Sequence, residues 1–523
     1  ASSGSEVTPS FYGCTTTYWA QNERCGVDGE SCRPFSQNTS VAFRCPSGCS
    51  GTVLGAARAV GTELPNFTPL IVGGGDQERG VYRGDSWVCP AAVHAGIIDD
   101  RTGGCGQLWL SGSYAGFVGK DANGLKSEDF NSTFPVSYFF QQGSRTSKCT
   151  DRRNDVYILD SVFSSLVGFV LQPRPIVWLW TLISMGFWHI NYASEPRDYP
   201  PAPGDPMGDF LPTLFVGYAL WRLVFRFVWP AFARLPIERT IWTLGFFWLG
   251  VLLNVVFADL PLQRLVASDI AQQPGALTAL IIIIVVVIII AVNQVRVIRK
   301  TGYLPKYLTL AAVGGVLIGL LVAVPETGLR LHHYIIALVL LPFTAFETRL
   351  SLIYSAFLLG MFLNGVGRWG FDGIIQDESV IQGDSVSNSG GIPTFLNASA
   401  NFTGLLSLNA SSPANASRVY WQPLPTNESY DGFDLMVDDV LRLSATGQNY
   451  FDLAEIAGFF VGDASASNAT FFPGGSAAAN VNATVAALPH YLRLAYTTDG
   501  SPGDFTRAAV AYPNGTFVMP EEG

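Results

Sequence analysis

Seven times between residues 174 and 368 the chain returns to an apolar run long enough to cross a bilayer. The runs are roughly 174–193, 210–229, 240–257, 275–297, 307–324, 331–347 and 350–368. A helix needs about 20 apolar residues to span the hydrocarbon core. The stretch Leu280–Ile290 is Leu, Ile and Val throughout, so a helix there is apolar on every side. Inside lipid each backbone polar group must be satisfied within the segment, which makes a helical bundle the expected fold of this block. Composition agrees: of 523 residues, 48% are hydrophobic and 14% charged, too apolar for an ordinary soluble chain. A formal charge of −10 offers no basic surface, so no nucleic-acid partner is expected.

The flanks are different. All eight cysteines fall in the first 150 residues: Cys14, Cys25, Cys32, Cys45, Cys49, Cys89, Cys105 and Cys149. An even number confined to one polar segment reads as a disulfide framework made in an oxidising compartment. Cys45 and Cys49 sit four apart, but no second tight pair or clustered His completes a tetrahedral zinc set. N-linked glycan acceptors occur at Asn38, Asn66, Asn131, Asn397, Asn401, Asn409, Asn415, Asn427, Asn468, Asn482 and Asn514, with none between 150 and 396. Both flanks therefore read as extracellular or lumenal, in a protein of the plasma membrane or vacuole.

Two outside flanks require an even number of crossings. The weak segment 155–171, which carries Asp160, supplies an eighth. Charge supports the count. The cytoplasmic connections then hold Arg174, Arg234, Arg239, Arg296, Arg299, Lys300, Lys306 and Arg349, with Arg222 and Arg226 just inside a helix. The outside connections hold Arg197, Arg264 and Arg330, each near acidic residues. This is the positive-inside pattern, and Trp residues near the span ends supply an aromatic belt. Three regions are expected: 1–150 outside, 151–370 as about eight transmembrane helices, and 371–523 outside.

Two stretches of the N-terminal region are distinctive: Cys45-Pro-Ser-Gly-Cys49, and Val81 to Gly96 with Cys89-Pro-Ala-Ala-Val-His94 at its centre. Asp85 or Ser86 is placed to cap a short helix through Ala91 and Ala92, and Cys89 on it can tie back to Cys49. Residues 11–140 resemble the LCCL domain, an α+β disulfide-bonded extracellular module. The resemblance implies the pairs Cys14–Cys45 and Cys49–Cys89. Cys25–Cys32 and Cys105–Cys149 are the expected remaining pairs. It also implies a ligand, since LCCL domains are linked to glycan or lipopolysaccharide recognition; a stable module with no small ligand is the alternative. His94 is expected to be structural. Leu331 to Pro342, Gly186-Phe-Trp-His189 and Asn364 to Asp372 resemble the fungal-type LCCL membrane proteins. That family carries a helix ahead of the LCCL domain, and such a helix, rather than a signal peptide, is the expected means of export.

After Trp369 the chain turns polar, and 373–415 reads as a decorated linker. Alternating segments follow at Arg418–Leu424, Gly432–Val440, Tyr491–Thr498 and Asp504–Ala511. They predict a β-sandwich resembling fibronectin type III, with Trp421 as a core aromatic.

Polar groups at membrane depth invite a functional hypothesis. His189, His332, His333 and Asp259 are expected at one depth near the outer ends of their helices. Imidazoles with a carboxylate suit zinc and a lipid hydrolase, although the motifs of known membrane hydrolases are absent. A b-type haem, a transporter path broken at Pro342 or Gly314-Gly315, and plain structural roles are the other readings. The leading expectation is an integral membrane protein presenting LCCL and β-sandwich domains to a glycan, lipid or protein ligand. Membrane lipid is a further partner, and oligomers are open.

Overall fold

The computed structural model describes residues 9–20, 22–32, 40–55, 57–76, 80–141, 149–197, 201–202, 204–258, 260, 262, 270, 275–324, 327–329, 332–377, 391–396, 418–426, 430–456, 487–514 and 516–520. The chain divides into two compact units: Ala1–Asp151 together with Asp384–Gly523, and Arg152–Gly383.

In the first unit the N-terminal part is a five-stranded sheet. Its strand order is Ser10–Phe11, Ser40–Cys45, Gly104–Ser111, Ser137–Gln141, Tyr82–Arg83. Helix Val88–His94 lies against it with every residue buried. Ala91 and Ala92 permit the close approach, over a core of Phe43, Leu108 and Tyr138. The helix begins after Trp87 without a side-chain cap. The expected caps are engaged elsewhere. Asp85 binds Arg83, and the Ser86 hydroxyl accepts from Val72 N–H at 2.9 Å.

Four disulfides close this region: Cys14–Cys49, Cys45–Cys89, Cys25–Cys32 and Cys105–Cys149. The expected pairs Cys14–Cys45 and Cys49–Cys89 are thus exchanged. Cys45 ends a central strand beneath the helix and meets Cys89 at a Cα separation of 5.7 Å. Gly48, in the left-handed region at φ 79°, then turns the chain, and Cys49 lands 5.0 Å from Cys14.

The C-terminal part is a six-stranded antiparallel sheet. Val440–Ala445, Gly432–Val437, His490–Thr498, Ala509–Ala511 and Phe517–Val518 follow in order, and Ser501–Pro502 pairs with His490–Thr498. A separate ribbon joins Arg418–Tyr420 to Tyr450–Asp452. Trp421, Val419 and Phe451 from the ribbon side share one core with Phe433, Leu435 and Leu494 of the sheet. The run expected as one strand, Gly432–Val440, breaks into a hairpin. Asp438 and Asp439 take φ 54° and 60°, a conformation in which Asp is among the better-tolerated non-glycine residues. Hydrophobic alternation passes through this turn without marking it.

The second unit is helical. Its segments are Arg153–Leu166, Pro175–His189, Gly204–Leu220, Pro236–Val251, Ala276–Lys300, Leu304–Val322, His333–Leu340 and Arg349–Trp369. The first three each continue into a π-helical turn, and shorter helical pieces follow some of the others. Among the described residues five helices are long and apolar enough to cross a membrane: Arg153–Leu171, Gly204–Phe232, Ala276–Lys300, Leu304–Val322 and Arg349–Trp369. His333–Thr344 is a shorter apolar helix. Pro342 does interrupt its segment, which tightens to a 3₁₀ turn at Leu341–Thr344, whereas Leu304–Val322 runs unbroken through Gly314-Gly315. Helices Pro236–Val251 and Arg349–Trp369 cross at glycine. A Cβ on Gly250 would stand 2.2 Å from the Phe357 carbonyl oxygen, and one on Gly360 equally close to that of Phe247.

Candidate ligand-binding cleft and the polar clusters of the helical unit

On the N-terminal sheet domain an open cleft of about 520 Å³ lies between the Gly74–Gly80 edge, the end of helix Val88–His94 and strand Ser137–Gln141. This is within the size range of small-ligand sites, about 300–1,000 Å³. Ile97, Phe139 and Phe140 supply apolar surface, and Asp76, Lys120 and Gln141 supply polar groups. Gly74, at φ 84°, packs so tightly on the Tyr82 ring that a Cβ there would come within 2.3 Å of it.

His94 forms the cleft's support. The Tyr82 hydroxyl donates to Nδ1 at 2.8 Å, and Nε2 donates to the Lys120 carbonyl at 3.0 Å. A carbonyl can only accept, which assigns the hydrogen to Nε2. Burial lowers the His94 pKa and raises that of the Tyr82 hydroxyl, so both remain neutral. Lys120, Asp76 and Gln141 were not singled out in the sequence. The glycine run Gly73-Gly74-Gly75 was the available signal, since it marks close backbone approach.

The same domain carries a buried ion cluster. Arg83, wholly buried, gives Asp85 a two-pronged contact at 2.7 and 2.6 Å, and its Nη1 donates to Asp439 at 2.7 Å. Its guanidinium lies 4.5 and 4.8 Å from the Phe130 and Phe134 ring centres. Burial opposes Asp85 ionisation, but Arg83 overrides it and holds the carboxyl below its ordinary pKa. Next to Asp439, Asp438 accepts from His490 Nδ1 at 2.8 Å and from Tyr491 N–H at 2.9 Å. The hairpin turn thereby joins the C-terminal strands to the N-terminal sheet domain, and Arg442 adds an ion pair to Asp28 at 3.0 Å.

The expected histidine cluster divides. His189 Nδ1 bonds Asp160 Oδ2 at 2.6 Å, with the ring against Tyr157 and Trp248. Its Nε2 is buried with no hydrogen-bond partner among the described residues. His333 Nδ1 meets Asn364 Oδ1 at 3.1 Å, and Asn364 and Asn254 both donate to Glu195, which also pairs with Arg368. His332 is buried and stacks on Tyr334. Asp259 lies outside the described residues. Among the described residues no group of three or more His, Cys, Asp or Glu could hold a metal ion. The Asp160 and Glu195 partnerships span many residues, which is why spacing did not reveal them.

Of the sequons, Asn131 and Asn514 are exposed and Asn66 is partly buried. Asn38, Asn397, Asn401, Asn409, Asn415, Asn427, Asn468 and Asn482 lie outside the described residues.

Residues 13–135 match the LCCL domain model. Over 559 aligned positions the chain is 30% identical to "Uncharacterized protein YIL067C" of Saccharomyces cerevisiae, covering 99% of this chain and 77% of that one. The chain belongs to that yeast protein's family. Part of the chain is also similar to part of two further proteins. Clotting factor C of Tachypleus tridentatus is 32% identical over 129 residues, 23% of this chain and 10% of that protein. Limulus clotting factor C of Carcinoscorpius rotundicauda is 32% identical over 117 residues, 21% and 9% of the two chains. No solved structure matches the chain.

Proposed function

We propose that this protein is a polytopic membrane protein of the cell surface or endomembranes that presents its LCCL domain as a binding module. The cleft beside Tyr82, Lys120 and Asp76 carries the reading, because it joins apolar rings to a few convergent polar groups. Eight crossings place both flanks on the extracellular or lumenal side. The clustered charges on the connections support this count. The C-terminal strands, read as a β-sandwich of fibronectin type III kind, buttress the LCCL domain through Asp439 on Arg83 and Asp438 on the Thr133 hydroxyl. The exposed Asn131 and Asn514 suit N-linked glycans.

The test is binding of the full chain, held in lipid nanodiscs, to glycan, lipid and protein panels. A ligand retained by the native protein and lost on Lys120→Ala with Asp76→Asn supports the cleft. Retention by the double variant moves the site elsewhere.

A second reading, a metal-dependent hydrolase acting on lipid, draws on Asp160. A carboxylate on one imidazole nitrogen is the arrangement that orients a metal-bound histidine. The described residues supply only the Nε2 of His189 in this way, where zinc takes about three or four protein ligands. Stoichiometric zinc in the purified protein, lost on His189→Ala, is the result this reading requires.

A further inference from the structure

Arg239 lies in the first turn of helix Pro236–Val251 and is 2% exposed. Its Nε and Nη2 atoms are buried and meet no hydrogen-bond acceptor among the described residues. No ion pair to it is found among them either. The adjacent acid, Glu238, is bound to Arg349. The helix that carries it is held in place. Thr240 donates to the Gly168 carbonyl at 3.0 Å, and a Cβ on Gly168 would strike Thr240 at 2.4 Å. Thr243 meanwhile donates to the Arg239 carbonyl and accepts from Trp178 Nε1.

A buried guanidinium without a counter-charge carries a large desolvation penalty, and guanidinium does not escape by losing its proton. Arg222, Arg226 and Arg234, on the segment leading into this helix, are exposed, and none forms an ion pair among the described residues. The helix N-terminus contributes its own positive dipole end. Such a place attracts an anion with several acceptor oxygens, and the guanidinium fork matches phosphate.

We infer that Arg239, at the N-terminal end of helix Pro236–Val251, forms a binding site for the phosphate group of an anionic membrane lipid. The inference rests on the membrane-spanning reading above, which puts this helix end at the cytoplasmic interface, where anionic lipids are enriched. The lipid phosphate supplies the counter-charge that the described residues do not.

The experiment uses the full chain in nanodiscs of phosphatidylcholine, with or without a minority of phosphatidic acid. It reads the thermal midpoint and, by native mass spectrometry, the lipids retained. Phosphatidic acid should raise the midpoint and stay bound to the native chain. Arg239→Met should fold, since an apolar side chain relieves the unpaired charge. It should lose the phosphatidic acid effect, with affinity weakened about 10-fold or more. Arg239→Lys should keep part of it. An undiminished effect in Arg239→Met, or none in the native chain, overturns the site. Inorganic phosphate reproducing the shift in phosphatidylcholine alone overturns the lipid assignment in favour of a soluble anion. Labelling of an Arg234→Cys variant from the outer side refutes the orientation, and this outcome is separate from whether Arg239 binds phosphate.

Discussion

Two buried arginines, one in each unit, show opposite solutions to one physical problem. Arg83 is enclosed by carboxylates from Asp85 and Asp439 and by two aromatic rings. Arg239 has no carboxylate among the described residues. In the first unit the chain supplies its own counter-charge, and Asp439 arrives from 356 positions away in sequence. In the second, no described carboxylate supplies it, and the inferred lipid phosphate would take that place. A buried charge that is internally paired holds a fold together. One without an internal partner is a place for a counter-charge from elsewhere to bind.

Removing Asp439 should break this comparison most severely. Asp439→Ala leaves Arg83 buried and half-compensated, and losing one partner of a buried pair costs about 3–5 kcal/mol. Thermal unfolding of the full chain and protease sensitivity of the C-terminal strands would both register it. An unchanged midpoint would mean that Asp85 alone suffices.

Asp160→Ala is the corresponding cut in the helical unit. It removes the one bond His189 makes at Nδ1. Loss of a hydrogen bond to a charged group costs about 1.5–3 kcal/mol. If stability in detergent does not fall, the pair has another role, and the zinc measurement gains interest. Gly250→Leu probes packing without charge. Its side chain would collide with the Phe357 carbonyl, and overpacking of this kind costs about 1–3 kcal/mol. An unaffected midpoint would show that the two helices can separate freely.

The smallest effect concerns pH. Burial lowers the His94 pKa from its ordinary 6.5, so the folded LCCL domain binds the proton less readily than the unfolded chain does. His94 therefore favours folding fully above pH 6.5. Its contribution shrinks as pH falls below that value and levels off once the folded state also takes up the proton. Denaturation of the native chain and of His94→Gln between pH 7.5 and 5 should show a steeper loss in the native protein. Parallel curves would remove His94 from the account.

Local pattern made much of this molecule legible. Apolar runs marked the helical segments because a bilayer-length helix leaves a mark that needs no partner to read. The disulfide framework showed in the cysteine count, and the LCCL domain in its two cysteine-bearing stretches. Cleft residues were harder to see, since Lys120, Asp76 and Gln141 are ordinary surface types until the sheet brings them to one rim. Cys25–Cys32 and Cys105–Cys149 pair as expected, whereas Cys14–Cys49 and Cys45–Cys89 exchange partners because one left-handed glycine, Gly48, decides which way Cys49 faces. The hairpin at Asp438–Asp439 was hidden because alternation has the same period on both sides of a tight turn.

The sequence by itself determined which segments are helical and apolar, which region is cross-linked, and where the LCCL domain lies. These properties depend on neighbours within a few residues or on composition. Only the tertiary structure decided that Asp439 neutralises Arg83, that Asp160 holds His189, and that Arg239 is left without a described partner. Charge pairing is a matter of distance in space, and sequence carries no record of that distance until the chain has folded.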